Sequence, residues 1–425
     1  MAQKAIREAD GKQMIARLLK NYTNGKYSVE DKFIKVGPET DFKRLPYSYK
    51  WLMKDKLVVK PDQLLKRRGK NKLLLLNASW KDAEKWMKER MCKPIIVGNV
   101  TGILDHFIVE PFIPHKENDE YYLAILSKRE GDEILFYHEG GINVGDVDAK
   151  AVRMMIPIGV YPNTTEIERK LLGKAPKERR ALIAGFIEGM FKFYADLNYA
   201  YLEINPFVVS GNKIFPLDLA AKLDDTAEFE SGKKWGDIEF PSPFGRMLTK
   251  DEAYIEELDS KTGASLKLTV LNPDGRVWTM VAGGGASVIF ADTITDLGFM
   301  SEMANYGEYS GDPNEEFTYL YARTMLDLMT RKKNPNGKFL LIGGGIANFT
   351  DVANTFKGIV RALREYKQKL KDNKVKIYVR RGGPNYKEGL KIMRELGSEL
   401  GVPIEVYGPE THMTKIVSMA LKGGK

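Results

Sequence analysis

Asn205, Asp218 and Glu203 are the side chains whose types and spacing first suggest chemistry. They lie in the stretch 201–225, YLEINPFVVSGNKIFPLDLAAKLDD, where two apolar runs meet at Ser210-Gly211-Asn212-Lys213. A two-residue turn with glycine first pairs Ser210 with Lys213, and counting back sets Asn205 opposite Asp218. Because a strand alternates faces, Tyr201, Glu203 and Asn205 share one side. An amide oxygen facing a carboxylate, with a second carboxylate two residues away, suits Mg2+. That ion keeps most of its coordination for water and phosphate and takes one or two protein ligands. Pro206 and Pro216 count against a regular ladder, since proline offers no donor and belongs at edges or bulges. From this stretch alone, a magnesium site and a surface hairpin with scattered polar residues stand level.

Positive charge suited to phosphate lies upstream. Residues 57–60 and 73–76 read as strands around a loop carrying Lys66, Arg67, Arg68, Gly69 and Lys70. That loop is either a basic flap closing on phosphates or an ordinary solvated charge run. Lys60 ends an apolar strand, where an ammonium aimed into a cleft pairs with phosphate as a point charge. The run Pro111-Phe112-Ile113-Pro114 is either a connector between lobes or a backbone edge for an adenine ring.

In the second half, three glycine-rich turns at 282–287, 343–350 and 380–385 each follow a strand and precede a helix. Glycine lets a ligand touch the backbone, and a helix N-terminus offers free N–H groups. Arg380 and Arg381 add a two-pronged grip for a polycarboxylate or a phosphate. Strand-on-helix packing explains any one such turn, but three in one domain favour an anion site. No GxGxxG opens a helix with an acidic residue about 20 positions on, so a dinucleotide is not indicated.

The elements that must hold these residues follow from hydrophobic periodicity. Helices are expected at 10–20, 82–91 and 177–197, and an antiparallel strand pair at 121–126 and 134–137. The polar, proline-rich stretch 228–245 marks a boundary, giving domains at 1–242 and 243–425. Beyond it, strands at 266–271, 277–282, 339–342, 376–379 and 403–407 alternate with helices at 287–297, 316–329, 352–369, 386–400 and 412–422. That alternation predicts a doubly wound α/β domain with a mostly parallel sheet.

With 425 residues the chain is long enough for two or three domains. Its net charge of +9 is spread among 57 acidic residues, without a basic tail or an aromatic-basic module. Polyanionic small molecules therefore fit better than nucleic acid. No apolar run approaches the roughly 18 residues of a membrane span. The charged N-terminus has no signal-peptide core, and the single cysteine, Cys92, suits a reducing cytoplasm.

Together LVVKPDQ, RRGK, VEPFIPH, LEINPF, LDLAAKLDD, KWGDIEFPSPFGR, WTMVAGGGAS, NYGEYSG, GGGIANFT and VRRGGPNY cover essentially the whole chain. On these motifs the sequence resembles the ATP-citrate lyase family, whose halves are similar to the ATP-grasp and carboxylate-binding domains of succinyl-CoA synthetase β subunits. The resemblance implies a two-lobed α+β ATP-grasp domain over 1–242 and a Rossmann- or flavodoxin-like citrate-binding domain over 243–425. Ending at Lys425, the chain looks like the smaller subunit of the two-polypeptide form. A large partner would carry the phosphorylated histidine, the main CoA-binding part and a citrate-synthase-like lyase part.

The resemblance further implies that Lys60, Arg68 and Gly69 contact ATP phosphates, Pro111 and Ile113 frame the adenine, and Glu120 meets the ribose. Asn205 and Asp218 would hold Mg2+, and Glu203 would orient the partner's histidine as it receives the γ-phosphoryl group. Gly311, Asn348, Thr350, Tyr366 and Arg381 would bind citrate, with Phe349 beside them. The four histidines, at 106, 115, 138 and 412, match no phosphorylated position and read as structural. The 259–264 stretch, DSKTGA, carries little weight as a further cation site. A succinyl-CoA-synthetase-type β subunit and a non-catalytic citrate and nucleotide sensor are the competing readings.

Overall fold

Two units with separate cores divide the chain, Met1–Met247 and Leu248–Lys425. The computed structural model describes residues 3–423 except Glu30, Lys66, Arg67, Ile142, Asn143 and Asn212. Lys66 and Arg67 of the expected basic flap, and Asn212 of the expected turn, therefore lie outside the described residues.

β1 (Gln3–Ile6) and α1 (Glu8–Tyr22) open the first unit. Its first lobe takes β2 (Ile34–Val36), α2 (Leu45–Ser48), β3 (Leu57–Pro61), β4 (Leu75–Ala78) and α3 (Trp80–Arg90), followed by β5 (Lys93–Val97), β6 (Val100–Leu104) and β7 (Phe107–Pro111). Four of these strands form an antiparallel sheet in the order β2-β7-β3-β4. α3 starts on a Ser79–Asp82 capping box and buries Ala83 and Met87 with Val59 and Phe107. The β5–β6 hairpin and β2 went unread in the sequence. β2 is three residues long and alternates, while KPIIV and VTGIL are joined by Gly98-Asn99, a glycine-first two-residue turn that the reading passed over.

The second lobe comprises β8 (Glu120–Ser127), β9 (Gly131–Tyr137), α4 (Val147–Lys150), β10 (Val152–Pro157), α5 (Thr164–Leu171) and α6 (Lys177–Asp196). The chain then runs through β11 (Tyr199–Ser210), β12 (Lys213–Pro216), β13 (Leu219–Asp224) and α7 (Glu228–Trp235). Its antiparallel sheet has the order β1-β13-β11-β8-β9-β10, with β12 on β11. α6 buries Ile183, Phe186, Ile187, Met190 and Phe193 against Leu202 and Ile204 of β11. Alternation then turns Tyr201, Glu203 and Asn205 to the opposite face.

β11 runs on through Asn205–Pro206, whose peptide bond is cis. Its pairing with β8 slips by one residue between Ile204 and Phe207, so the inward residues change from Leu202 and Ile204 to Phe207 and Val209. On the other edge the hairpin register survives: Ser210 pairs with Lys213, Phe207 with Pro216, and Ile204 with Leu219. The functional side chains sit at this slip.

The second unit starts with α8 (Lys250–Ser260) and β14 (Ser265–Val270), then β15 (Val277–Ala282), α9 (Gly284–Asp296), β16 (Asn305–Ser310), α10 (Glu315–Thr330) and β17 (Lys338–Gly344). It continues through α11 (Val352–Glu365), α12 (Lys367–Asp372), β18 (Val375–Arg380), α13 (Tyr386–Leu400), β19 (Ile404–Tyr407) and α14 (Lys415–Lys422). A parallel sheet runs β15-β17-β18-β19. One face packs on Met325, Phe356, Ile359 and Met393, the other on Phe290, Ile294, Ile416 and Val417. All six residues of β15 are buried, as a strand covered on both sides requires.

One expectation is corrected here. β14 is not part of the parallel sheet but pairs antiparallel with β16 as a separate ribbon, and β16 (NYGEYS) is too polar to have been read as a strand. Among the described residues, no helix is long and apolar enough to cross a membrane.

Candidate functional site

A cavity of about 640 Å³ in the first unit is lined by Lys60, Pro111, Ile113, Glu120, Asn205 and Asp218, among others. The register expectation for the last two is met: Asn205 N donates to the Asp218 carbonyl at 3.0 Å. The Asn205 side-chain oxygen accepts from Gly141 N at 2.9 Å, which leaves it a second lone pair. The Asp218 carboxylate is 41% exposed and takes a hydrogen bond from Arg68. An exposed carboxylate beside an amide oxygen is a donor set that fits Mg2+.

Glu203 lies on the same strand face, and the Tyr201 hydroxyl donates to it. Burial pushes its carboxyl above the usual range; Tyr201 opposes this, while Asp148 and Asp218 add to it. Asp148 is itself held by the Tyr122 hydroxyl.

Lys60 does not project freely. Its Nζ meets Glu8 Oε1 at 2.6 Å and Glu110 Oε2 at 3.0 Å, and it donates to the Leu217 carbonyl. Burial favours a neutral amine, but Glu110, Glu8 and Asp218 together hold it protonated, above the ordinary lysine range. Arg68 donates through Nη1 to the Pro61 carbonyl at 2.7 Å and through Nη2 to Glu8 Oε2 at 2.6 Å. Gly69 serves the turn, its carbonyl accepting from Lys72 N at 3.1 Å.

Glu8, Lys12 and Glu110 were missed by the sequence reading. A signal existed for two of them: Glu8 and Lys12 occupy the helical face that Ile15 and Leu19 bury. Asp62, also buried, accepts from Ala9 N at 3.2 Å. Burial, with Glu8 adding to it, pushes its carboxyl up to about 6.

At the far wall, His115 Nδ1 donates to the Ile113 carbonyl at 2.6 Å while Nε2 meets Glu120 Oε1 at 2.9 Å. His115 lines the cavity, so of the four histidines expected to be structural it is the one that supports the site. Gly141 passes close enough to Glu120 that a Cβ would fall 2.0 Å from Oε2, and its φ of +86° also favours glycine.

In the second unit Arg381 is 4% exposed. Its Nη1 donates to the Gly345 carbonyl at 2.7 Å, while its buried Nε has no protein partner among the described residues. Burial pushes its pKa down, with only Tyr309 opposing. Arg380 is occupied elsewhere, donating to the carbonyls of Thr411, Gly344 and Pro409 at 2.9, 3.0 and 3.3 Å. The expected two-arginine grip thus reduces to Arg381.

The turn after β17 presents Asn348 and Phe349 at the surface and buries Thr350. Gly311 comes alongside it, because Asp351 N donates to Asp312 Oδ1 at 3.1 Å. Tyr366 is not brought to this group. It lies beyond the 14 residues of α11, about 21 Å along the axis from Thr350, and its hydroxyl donates to Asp327 at 3.3 Å. The expected citrate contact at Tyr366 is corrected on that ground. The Asp259 carboxylate accepts from Leu266 N and binds Lys267, so the 259–264 stretch gains no support as a cation site.

Comparison with known proteins matches both units. Residues 2–235 match the family described as ATP-citrate synthase ATP-grasp domain, and residues 246–423 the one described as ATP citrate lyase citrate-binding. ATP-citrate synthase from Homo sapiens is 54% identical over 421 residues, which is 99% of this chain but 38% of the human protein. The chain therefore spans well under half the length of such animal relatives. ATP-citrate synthase alpha chain protein 2 of Oryza sativa subsp. japonica is 49% identical over 422 residues, 99% of each. A solved structure of ATP citrate lyase from Methanothrix soehngenii, in complex with citrate and coenzyme A, superposes with a TM-score of 0.90 at 55% identity. It covers 99% of this chain and 100% of that one.

Proposed function

This chain belongs to the ATP-citrate lyase family, and from that premise we propose that it is the part of such an enzyme that binds MgATP and citrate. The complete reaction converts ATP, citrate and CoA to ADP, phosphate, acetyl-CoA and oxaloacetate, in the cytoplasm, and needs a large partner subunit. The observation that carries the reading is the Asn205–Asp218 pair facing one cavity with Lys60 and Glu120.

In this reading the adenine lies along Pro111 and Ile113, with Glu120, braced by His115, at the ribose. Lys60, Arg68 and the Gly69 turn meet the phosphates, placing positive charge where negative charge spreads during phosphoryl transfer. Asn205 and Asp218 would hold Mg2+, which when bound neutralises phosphate oxygens. Glu203 accepts a hydrogen bond from one nitrogen of the partner's histidine, leaving the other free to take the γ-phosphoryl group. Its elevated pKa limits this role to pH values at which the carboxyl is ionised.

Citrate is held at the second unit by the unpaired edge of Arg381, by Thr350 and Asn348, and by backbone at Gly311, with Phe349 beside it. Burying any carboxylate of the ligand unpaired would cost several kcal/mol, which a guanidinium with an unused donor offsets. The partner's phosphohistidine delivers phosphate to a citrate carboxylate, giving citryl-phosphate. The CoA thiol, bound mainly by the partner, then displaces phosphate, and the partner's lyase part cleaves citryl-CoA.

The test is titration followed by reconstitution. The purified chain should show thermal shifts with citrate and with MgATP, and should form acetyl-CoA only after the large subunit is added. A preference for succinate over citrate would instead indicate a succinyl-CoA-synthetase-type β subunit. Acetyl-CoA formation by the chain alone would remove the partner from the scheme.

A further inference from the structure

Glu8 is 5% exposed, yet three cations converge on it. Lys12 Nζ stands 2.8 Å and Lys60 Nζ 2.6 Å from Oε1, and Arg68 Nη2 stands 2.6 Å from Oε2. Left alone, three such groups repel one another, and their flexible stems let the charged heads turn outward to water. Glu110 adds a second bridge, with Oε1 at 2.6 Å from Lys12 and Oε2 at 3.0 Å from Lys60. The Leu217 carbonyl accepts from both lysines. Lys12 therefore shares its acceptors with Lys60, on the wall of the same cavity.

The anions of the cluster differ in exposure. The Asp218 side chain is 41% exposed against 3% for Glu8, and Arg68 bridges the two. A solvent-exposed partner can be exchanged for an incoming anion, whereas a buried one remains in place beneath it.

We propose that Glu8 is a positioning residue for the nucleotide polyphosphate: from below the cavity wall it gathers Lys60 and Arg68, with Lys12 beside Lys60, into one phosphate-facing set. This inference rests on the nucleotide reading above and names the device that makes the site work. When the polyphosphate enters, Arg68 exchanges Asp218 for phosphate oxygens while Glu8 keeps its hold, and Asp218 is freed for the Mg2+ that would accompany the phosphates. The shorter or uncharged side chain of a variant at position 8 would leave the cations unassembled.

The experiment titrates the full chain and its Glu8→Gln and Glu8→Asp variants with MgATP, with adenosine, which lacks phosphates, and with citrate. Glu8→Gln should weaken MgATP about tenfold or more, the size of a lost charge-assisted hydrogen-bond set. Glu8→Asp, which keeps the charge but retracts it, should fall between Gln and wild type. Adenosine and citrate should bind all three alike. If Glu8→Gln does not fold, the drop for Glu8→Asp against unchanged adenosine carries the same test. MgATP affinity equal to wild type in a folded variant, or adenosine weakened in proportion, overturns the inference. So does failure of both variants to fold, which would make Glu8 a support of the fold instead. A wild-type chain that bound no MgATP would overturn the nucleotide reading itself.

Discussion

Asp62 and Arg381 are buried charged groups without full compensation, and each makes a separable prediction. Asp62 titrates at about 6 in the folded chain against 3.8 ordinarily. A carboxyl whose folded value is the higher one holds its proton more tightly when folded, so stability falls as pH rises between those two values. Asp62→Asn should therefore stabilise the chain by about 1–3 kcal/mol at pH 8 and hardly at all at pH 4, read from urea unfolding at both. Arg381→Met removes a buried guanidinium whose Nε has no partner among the described residues. It should raise the melting temperature of the ligand-free chain by a few degrees while abolishing the citrate-induced shift and leaving MgATP binding intact. A lowered melting temperature with citrate binding retained would contradict this. At this scale legibility followed spacing. Asn205 and Asp218 were readable because a two-residue turn fixes a register by counting. Glu110 belongs to an ion cluster assembled from four distant stretches, and nothing local marks it. Tyr366 was grouped with Thr350 by resemblance alone, although the helix expected over 352–369 already set the two a helix apart.

The elements place these residues by being interrupted. Pro206 and Pro216 looked like objections to a hairpin, yet Pro216 borders and Pro206 sits in the lapse between β12 and β13 at which Asn205 and Asp218 face each other. Gly141 serves the same wall from the loop after β9, donating to Asn205 and passing tight against Glu120. Gly141→Ala should cost about 1–3 kcal/mol of stability, from its positive φ and the crowding of Glu120. It should weaken MgATP but not citrate in paired titrations; an unchanged MgATP affinity would show that this wall does not meet the nucleotide. Long amphipathic patterns such as α6 and α13 were legible in type and nearly in extent. Not every strand was: β2, β5, β6 and β16 went unread, although β3, β15 and β19, of similar length but with more apolar sequences, were read.

At the scale of the whole molecule, one unit carries the cavity lined by Lys60, Glu120, Asn205 and Asp218, and the other the turn cluster with Arg381. The second unit's fold class was legible because strand-helix alternation survives without any tertiary information, whereas the first unit's two-lobed fold came from the family resemblance. The proposed division of labour between this chain and a partner has no such signature in periodicity. The most direct measurement follows the phosphorus. The chain and a large subunit of the family are mixed with γ-32P-ATP and Mg2+, without citrate or CoA. Acid-labile, base-stable label is expected on the large subunit, released by citrate with CoA, and lost when this chain carries Asp218→Ala. Label on this chain, or undiminished labelling with Asp218→Ala, would contradict the transfer of phosphate from this cavity to a partner's histidine.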